Sequence, residues 1–132
     1  MVWTGRDVII WGGAGENTPV FLGDGARYDP DSDTWISLPM TGAPQPRANH
    51  AMIWTGSTLV IWGGTGYDEF GRQVPLASGA RYTATTDTWT PITTQGAPTP
   101  RRAAAAVWVA PWLIYWGGIS FQQELMLTGG RY

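Results

Sequence analysis

An apolar run capped by one tryptophan and two glycines occurs three times in this chain, as "VIIWGG" at 8–13, "LVIWGG" at 59–64 and "LIYWGG" at 113–118. The copies lie 51 and then 54 residues apart, and other landmarks keep the same register. Trp3, Trp54 and Trp108 each precede the glycine-flanked tryptophan by eight positions. "GARY" at 25–28 returns at 79–82, and "GGRY" stands at 129–132. Tyr28 and Tyr82 are each followed seven residues later by a tryptophan, Trp35 and Trp89. "GAPQPR" at 42–47 is answered by "GAPTPR" at 96–101. A repeat of this length is one supersecondary unit that cannot bury its apolar face alone and must stack on its neighbours.

Within a unit the elements are short and strand-like. "NHAMIWTG" and "STLVIWGG" form a β-rich pair broken by Gly and small polar residues, the mark of a hairpin. A variable Gly-rich loop, "SGARY", the turn "TATTD" and "TWTPI" follow, and a Pro-rich connection leads onward. Each unit therefore reads as a four-stranded antiparallel sheet, and no helical apolar period of useful length is present. A strand with one wet face alternates apolar and polar residues. Val8, Ile9, Ile10 and Trp11 do not alternate, so this strand is expected to be covered on both faces. Identical small sheets stacked face to face supply that cover; a β-sandwich would supply it too, but does not require a repeated unit.

These landmarks resemble the kelch repeat, in which each unit is one four-stranded blade of a β-propeller. The resemblance spans the chain. It rests on Trp11, Gly12, Gly13, Tyr28 and Trp35 in the first unit, and on Trp62, Gly63, Gly64, Tyr82 and Trp89 in the second. In the third it rests on Trp116, Gly117, Gly118 and Tyr132, without the final tryptophan. The family pattern Pro-Arg-x-x-His is met by Pro46, Arg47 and His50, whereas Arg101 is followed by Ala104 at the histidine position. The expected fold is all-β, a kelch-type propeller of about two and a half to three blades, with approximate blades 1–46, 47–100 and 101–132.

Met1 aligns with Met52 and Tyr132 with Tyr82, so the first blade is expected to lack most of its inner strand and the third its outer strand. Three blades do not close a ring, since about four to eight is the usual number. Two copies arranged head to tail would make a six-bladed homodimeric ring through two equal interfaces. The rival reading is a piece of a longer propeller.

Composition removes several classes of function. The net charge of −2 provides no basic field for nucleic acid or an anionic membrane, and no apolar run is long enough to span a bilayer. No leader pattern opens the sequence. Without cysteine there are no disulfides, thiolate metal sites or thiol nucleophiles, and without lysine there is no Schiff base or Walker-type lysine. His50 is the single histidine, which leaves no multi-histidine metal site within one chain. "DPDSD" at 29–33 lacks the glycine and glutamate of a calcium loop and reads as a turn. No catalytic residue, metal or cofactor is expected, and nothing in the sequence indicates a compartment.

Binding is expected at the end of the sheets where the variable loops 14–24, 65–78 and 119–128 gather with the Pro-Arg connections. The longest loop offers Tyr67 and Phe70 as aromatic surface and Asp68, Glu69 and Arg72 as polar contacts. Arg47, Arg101 and Arg102 are candidates to present guanidinium forks to an acidic peptide or ligand; alternatively they cap carbonyls of the Pro-rich loops. Arg27, Arg81 and Arg131 recur beside a framework tyrosine and point to a scaffold role. Eight of nine tryptophans hold framework positions and read as inter-blade packing; Trp112 is the exception. The favoured function is a non-catalytic scaffold for a protein or ligand, completed by self-association. The alternative is a glycan-binding or acidic-sugar-isomerising propeller using Arg47, Arg101 and the loop carboxylates Glu16, Glu69 and Glu124.

Overall fold

The computed structural model describes residues 1–15 and 20–132; Glu16 lies outside them. Every regular element among the described residues is a strand. The first sheet runs in chain order through β1 (Val2–Trp3), β2 (Val8–Ala14), β3 (Phe21–Asp29) and β4 (Thr34–Ser37). The second comprises β5 (Ala51–Trp54), β6 (Thr58–Trp62), β9 (Gly79–Thr83) and β10 (Thr88–Pro91). The third has three strands, β11 (Ala105–Val109), β12 (Trp112–Trp116) and β13 (Gly129–Arg131). All pairings are antiparallel between neighbours. The inner strands β1, β5 and β11 lie side by side, so the three sheets fan about a common axis as blades of a propeller.

Local chemistry fixes the turns. At the β5–β6 hairpin the Thr55 hydroxyl accepts the Thr58 N–H at 3.1 Å and donates to the Thr58 carbonyl, while Thr4 accepts the Asp7 N–H at 2.8 Å in the first blade. At the outer turns Asp33 and Asp87 take positive φ, a conformation Asp tolerates, and accept the Tyr28 and Tyr82 hydroxyls at 2.8 and 2.6 Å. The repeated Tyr thus locks its own blade's outer turn. One element was not expected. The stretch 65–78 read as a loop, yet it holds a side hairpin of β7 (Thr65–Tyr67) and β8 (Gln73–Pro75).

Two apolar layers separate the three blades. Ile9, Trp11 and Leu38 of the first pack on Leu59, Ile61, Ala80, Tyr82 and Trp89 of the second. Ile53, Val60, Trp62 and Ile92 on the other side of the second pack on Leu113 and Tyr115 of the third. Residues 59–62 of β6 are therefore all buried, as an unbroken apolar run requires. The same expectation for 8–11 of β2 needs correction: Ile9 and Trp11 are buried, but Ile10 is 37% exposed. β12 likewise buries Leu113 and Tyr115 and leaves Trp112, Ile114 and Trp116 exposed. The apolar run is a property of every unit, whereas two-sided cover depends on having a neighbour on each side, as the middle blade has among the described residues.

Candidate functional site

The repeated glycine pair and the Pro-Arg connection meet at one joint. In blade one the Gly13 N–H donates to the Arg47 carbonyl at 2.9 Å, and in blade two the Gly64 N–H donates to the Arg101 carbonyl at 3.0 Å. The first glycine of each pair lets that carbonyl approach. A Cβ on Gly12 would stand 2.7 Å from the Arg47 oxygen, and one on Gly63 would stand 2.8 Å from the Arg101 oxygen. Both glycines also have positive φ, 64° and 66°.

The arginine side chains then turn into their own blades. Arg47 is 1% exposed. Its Nε donates to the Gln45 carbonyl at 3.0 Å, and its terminal nitrogens donate to the carbonyls of Gly63 and Ser78 and to the Ser78 hydroxyl. Arg101, 3% exposed, repeats the pattern on the carbonyls of Thr99, Gly117 and Thr128. Burial lowers the affinity of both guanidinium groups for their protons, to about 10 for Arg47, which leaves it charged at neutral pH. Of the two roles open in the sequence, the geometry of Arg47 and Arg101 is that of carbonyl caps. Each links two blades, by its carbonyl to the preceding one and by its side chain to its own. His50 closes the first joint. Its ring stands edge-on to Trp11 at 5.5 Å, and burial together with the nearby Arg47 charge depresses its pKa to about 4.

The loop end above the joints carries the accessible polar groups. A cleft of about 310 Å³ opens there between the three blades, lined by Phe21, Asn49, Thr65, Gln73, Pro75, Arg102 and Gln123. Arg102 differs from Arg101: it is partly open and donates to Gln123 Oε1 at 2.6 Å, an exposed bond. Phe21, Asn49, Gln73 and Gln123 are contributors that the sequence did not single out; their one signal is that the stretches 14–24, 65–78 and 119–128 and the Pro-Arg connection, read as loops, emerge at the same end, although Phe21 belongs to β3 and Gln73 to β8.

The side hairpin overhangs this end. The Tyr67 ring packs on Phe21 at 5.0 Å, and its carbonyl accepts the Gln45 amide. At the tip Asp68 accepts the backbone N–H groups of Phe70 and Arg72 and both Nε and NH2 of Arg72, each side-chain contact at 2.8 Å. The Arg72 backbone N–H, its guanidinium and the Phe70 N–H hold the Asp68 carboxylate below its usual range. Arg72 also covers the Phe70 ring at 5.1 Å, though Phe70 stays 72% exposed. Glu69 is exposed beside it. The tip is thus a self-satisfied knob with one aromatic face outward. Elsewhere Arg27 lies 3.8 Å from Asp7, and Arg131 lies 4.4 Å over Trp112 on the open side of blade three. Among the described residues no three acidic or histidine side chains converge as a metal site would require.

Among curated proteins none matches the chain. The family model described as the KLHDC2/KLHL20/DRC7 Kelch-repeats domain matches residues 1–128. Kelch domains commonly bind protein partners and are generally non-catalytic. With three stacked blades, the Gly-Gly and Pro-Arg joints between them and a match over nearly its full length, the chain belongs to the kelch-repeat family.

Proposed function

We propose that the chain is a non-catalytic scaffold for protein binding whose ring is completed by self-association, two copies meeting head to tail. The observation that carries this reading is the pair of open blade faces. One side of the stack presents Trp3, Ile10 and Trp35, and the other presents Val107, Ile114 and Trp116, all at least 37% exposed. These residues occupy the repeat positions that are buried inside the stack, where Trp54, Ile61 and Trp89 of blade two meet Ile9 and Trp11 of blade one. The third face of one copy therefore has the chemistry to dock on the first face of another. Contiguous apolar surface of this extent is unusual on a monomer and marks an interaction site.

At the loop end, Arg102 with Asn49, Gln73 and Gln123 forms the cleft suited to a carboxylate-bearing peptide segment, with Tyr67, Phe70 and the Asp68–Arg72 knob as the flanking surface, and Arg47 and Arg101 acting through the frame. The test of the assembly is mass in solution by light scattering. The wild type is expected at twice 14.4 kDa, and Trp116→Glu at 14.4 kDa with an unchanged circular dichroism spectrum. A wild type that stays at 14.4 kDa refutes self-association. Arg102→Ala is expected to weaken peptide capture without changing the melting temperature.

A further inference from the structure

We infer that the outer edge of the side hairpin, strand β8, accepts an extended acidic segment of a partner protein as a third, antiparallel strand whose alternate side chains enter the adjoining cleft. The inference rests on the peptide-binding reading of that cleft and adds how the main chain of the peptide is held. Thr65 and Ala48 exchange both backbone hydrogen bonds, at 2.7 and 2.9 Å, so the main-chain groups of Thr65 point away from β8. The Tyr67 carbonyl points the same way, to the Gln45 amide. By antiparallel alternation the groups of Gly66, between them, point toward β8, and its partner Val74 directs its own at β7. Gln73 and Pro75, on either side of Val74, therefore turn their main-chain groups outward, where β8 has no neighbouring strand among the described residues. Proline has no N–H, so this edge offers one donor, the Gln73 N–H, and the Gln73 and Pro75 carbonyls as acceptors.

The other flank of the hairpin is seated on the frame. β7 lies toward blade one, where the Tyr67 ring packs on Phe21 at 5.0 Å. A Cβ on Gly66 would come within 2.9 Å of the Pro46 carbonyl oxygen, so the backbone there rests directly on the Pro-Arg connection. Gln73 and Pro75 of β8 share the cleft of about 310 Å³ with Arg102 and Gln123 of blade three.

Directly paired residues of a sheet share a face, so Thr65, Tyr67, Gln73 and Pro75 turn to one side and Gly66 and Val74 to the other. The first side is the cleft, whose lining includes Thr65, Gln73 and Pro75. An antiparallel segment exchanges two bonds with Gln73 at one residue and donates to the Pro75 carbonyl from the residue two places earlier. Antiparallel pairing continues the sense of the hairpin and is the more stable per residue. The side chains of those two residues then enter the cleft, and the one between them lies beside Val74. Arg102 is the single ionic side chain among the residues that line the cleft, surrounded by the amides of Asn49, Gln73 and Gln123. That set is complementary to carboxylates at alternate positions of the segment. The Thr65 hydroxyl, a further polar group of the lining, is buried without a hydrogen-bond partner among the described residues. Strand addition takes its affinity from main-chain bonds and its specificity from alternate side chains.

The probe is a fluorescein-labelled peptide, capped at both ends, in which valine, glutamate, valine, glutamate and valine stand between terminal threonines; it is titrated by anisotropy. Saturable binding is expected. N-methylation of both glutamates, whose N–H groups reach the Gln73 and Pro75 carbonyls, should weaken it at least about tenfold, whereas N-methylation of the central valine, whose N–H points away from β8, should change it less than about twofold. Gln73→Pro removes the donor of the edge without touching a bond between β7 and β8, and should weaken binding about fivefold with an unchanged circular dichroism spectrum. Amide exchange at Gln73 should slow when the peptide is bound. Equal effects of the two methylations, the reverse pattern, or unchanged exchange at Gln73 overturns the inference. Arg102→Ala separates the strand from the cleft. Binding lost with Arg102→Ala but indifferent to methylation sinks the strand and leaves the cleft reading in place. Binding that keeps the methylation pattern but ignores Arg102→Ala supports the strand and sinks the carboxylate reading of the cleft. No binding at all overturns both.

Discussion

Replacing Arg47 by alanine removes a guanidinium that holds three backbone carbonyls and one hydroxyl at the junction of blades one and two. The Ser78 carbonyl keeps a second donor, the Gly63 N–H at 3.1 Å, but the Gly63 carbonyl is left with none among the described residues. A buried acceptor stripped of its donor costs about 1–3 kcal/mol, and hydrogen bonds from a charged donor are worth about 1.5–3 kcal/mol each. With the void left by a side chain that is 1% exposed, the expected loss is about 3–5 kcal/mol, a large part of the roughly 5–15 kcal/mol that holds a domain folded. Arg47→Lys retains a single charged nitrogen on a stem of similar length and should lose about half as much. The assay is urea unfolding followed by tryptophan fluorescence, reading the shift of the midpoint at constant slope. A ligand-presenting arginine would behave differently, keeping stability within about 0.5 kcal/mol while abolishing capture. An Arg47→Ala protein with wild-type midpoint would therefore refute the clamp.

Three further outcomes follow from the same joints. His50 has its pKa depressed to about 4 against 6.5 when free, so the folded state binds fewer protons; stability is full above pH 6.5 and falls as the pH drops toward 4, by up to about 3 kcal/mol. Melts of the wild type and of His50→Gln should diverge across that window, and parallel curves would contradict it. Gly63→Ala and Gly117→Ala impose similar positive φ, 66° and 69°, but only the first puts a Cβ 2.8 Å from an arginine carbonyl. Gly117→Ala should cost about 1 kcal/mol for the backbone alone and Gly63→Ala about 2 kcal/mol more, read by urea midpoints. The Tyr115 hydroxyl is buried without a hydrogen-bond partner among the described residues, so Tyr115→Phe should be neutral or stabilising by about 1 kcal/mol in a thermal melt.

The repeat made much of this architecture legible. Glycine pairs mark places where a backbone must come close, and a tryptophan seven residues beyond a tyrosine marks two strands joined by a short turn; both are steric facts that survive in residue identity. The sequence left the arginines ambiguous, because "PR" beside a turn looks the same whether its guanidinium meets a ligand or the carbonyls of Gly63 and Ser78. The side hairpin leaves no clear mark in the sequence, since three-residue strands such as "TGY" and "QVP" are too short to show alternation, and Pro75 argues for an edge. Which faces are covered was equally hidden. Ile10 and Ile61 are the same residue at the same repeat position, yet one is 37% exposed and the other 0%, because burial belongs to the stack rather than to the strand.

That last contrast explains why the joints matter more than the blades. A single blade has too little apolar surface between its own strands to stand alone, so a stacked repeat gains little stability inside each unit and most of it where units meet. Here a junction combines an apolar layer with an arginine whose carbonyl serves one blade and whose side chain serves the next, as Arg47 and Arg101 do. Two polar clamps set the spacing and tilt of the blades, while the apolar layers between them supply most of the free energy. An open face offers the apolar half without the clamp: Gly118 occupies the position of Gly64, and its N–H donates to no arginine carbonyl among the described residues. In the proposed assembly, docking on that face would be governed by tryptophan and isoleucine packing, which tolerates sliding more than a hydrogen-bonded joint does. Substitutions at Trp116 and Ile114 should accordingly act on assembly, and substitutions at Arg47 and Arg101 on the integrity of the stack that presents it.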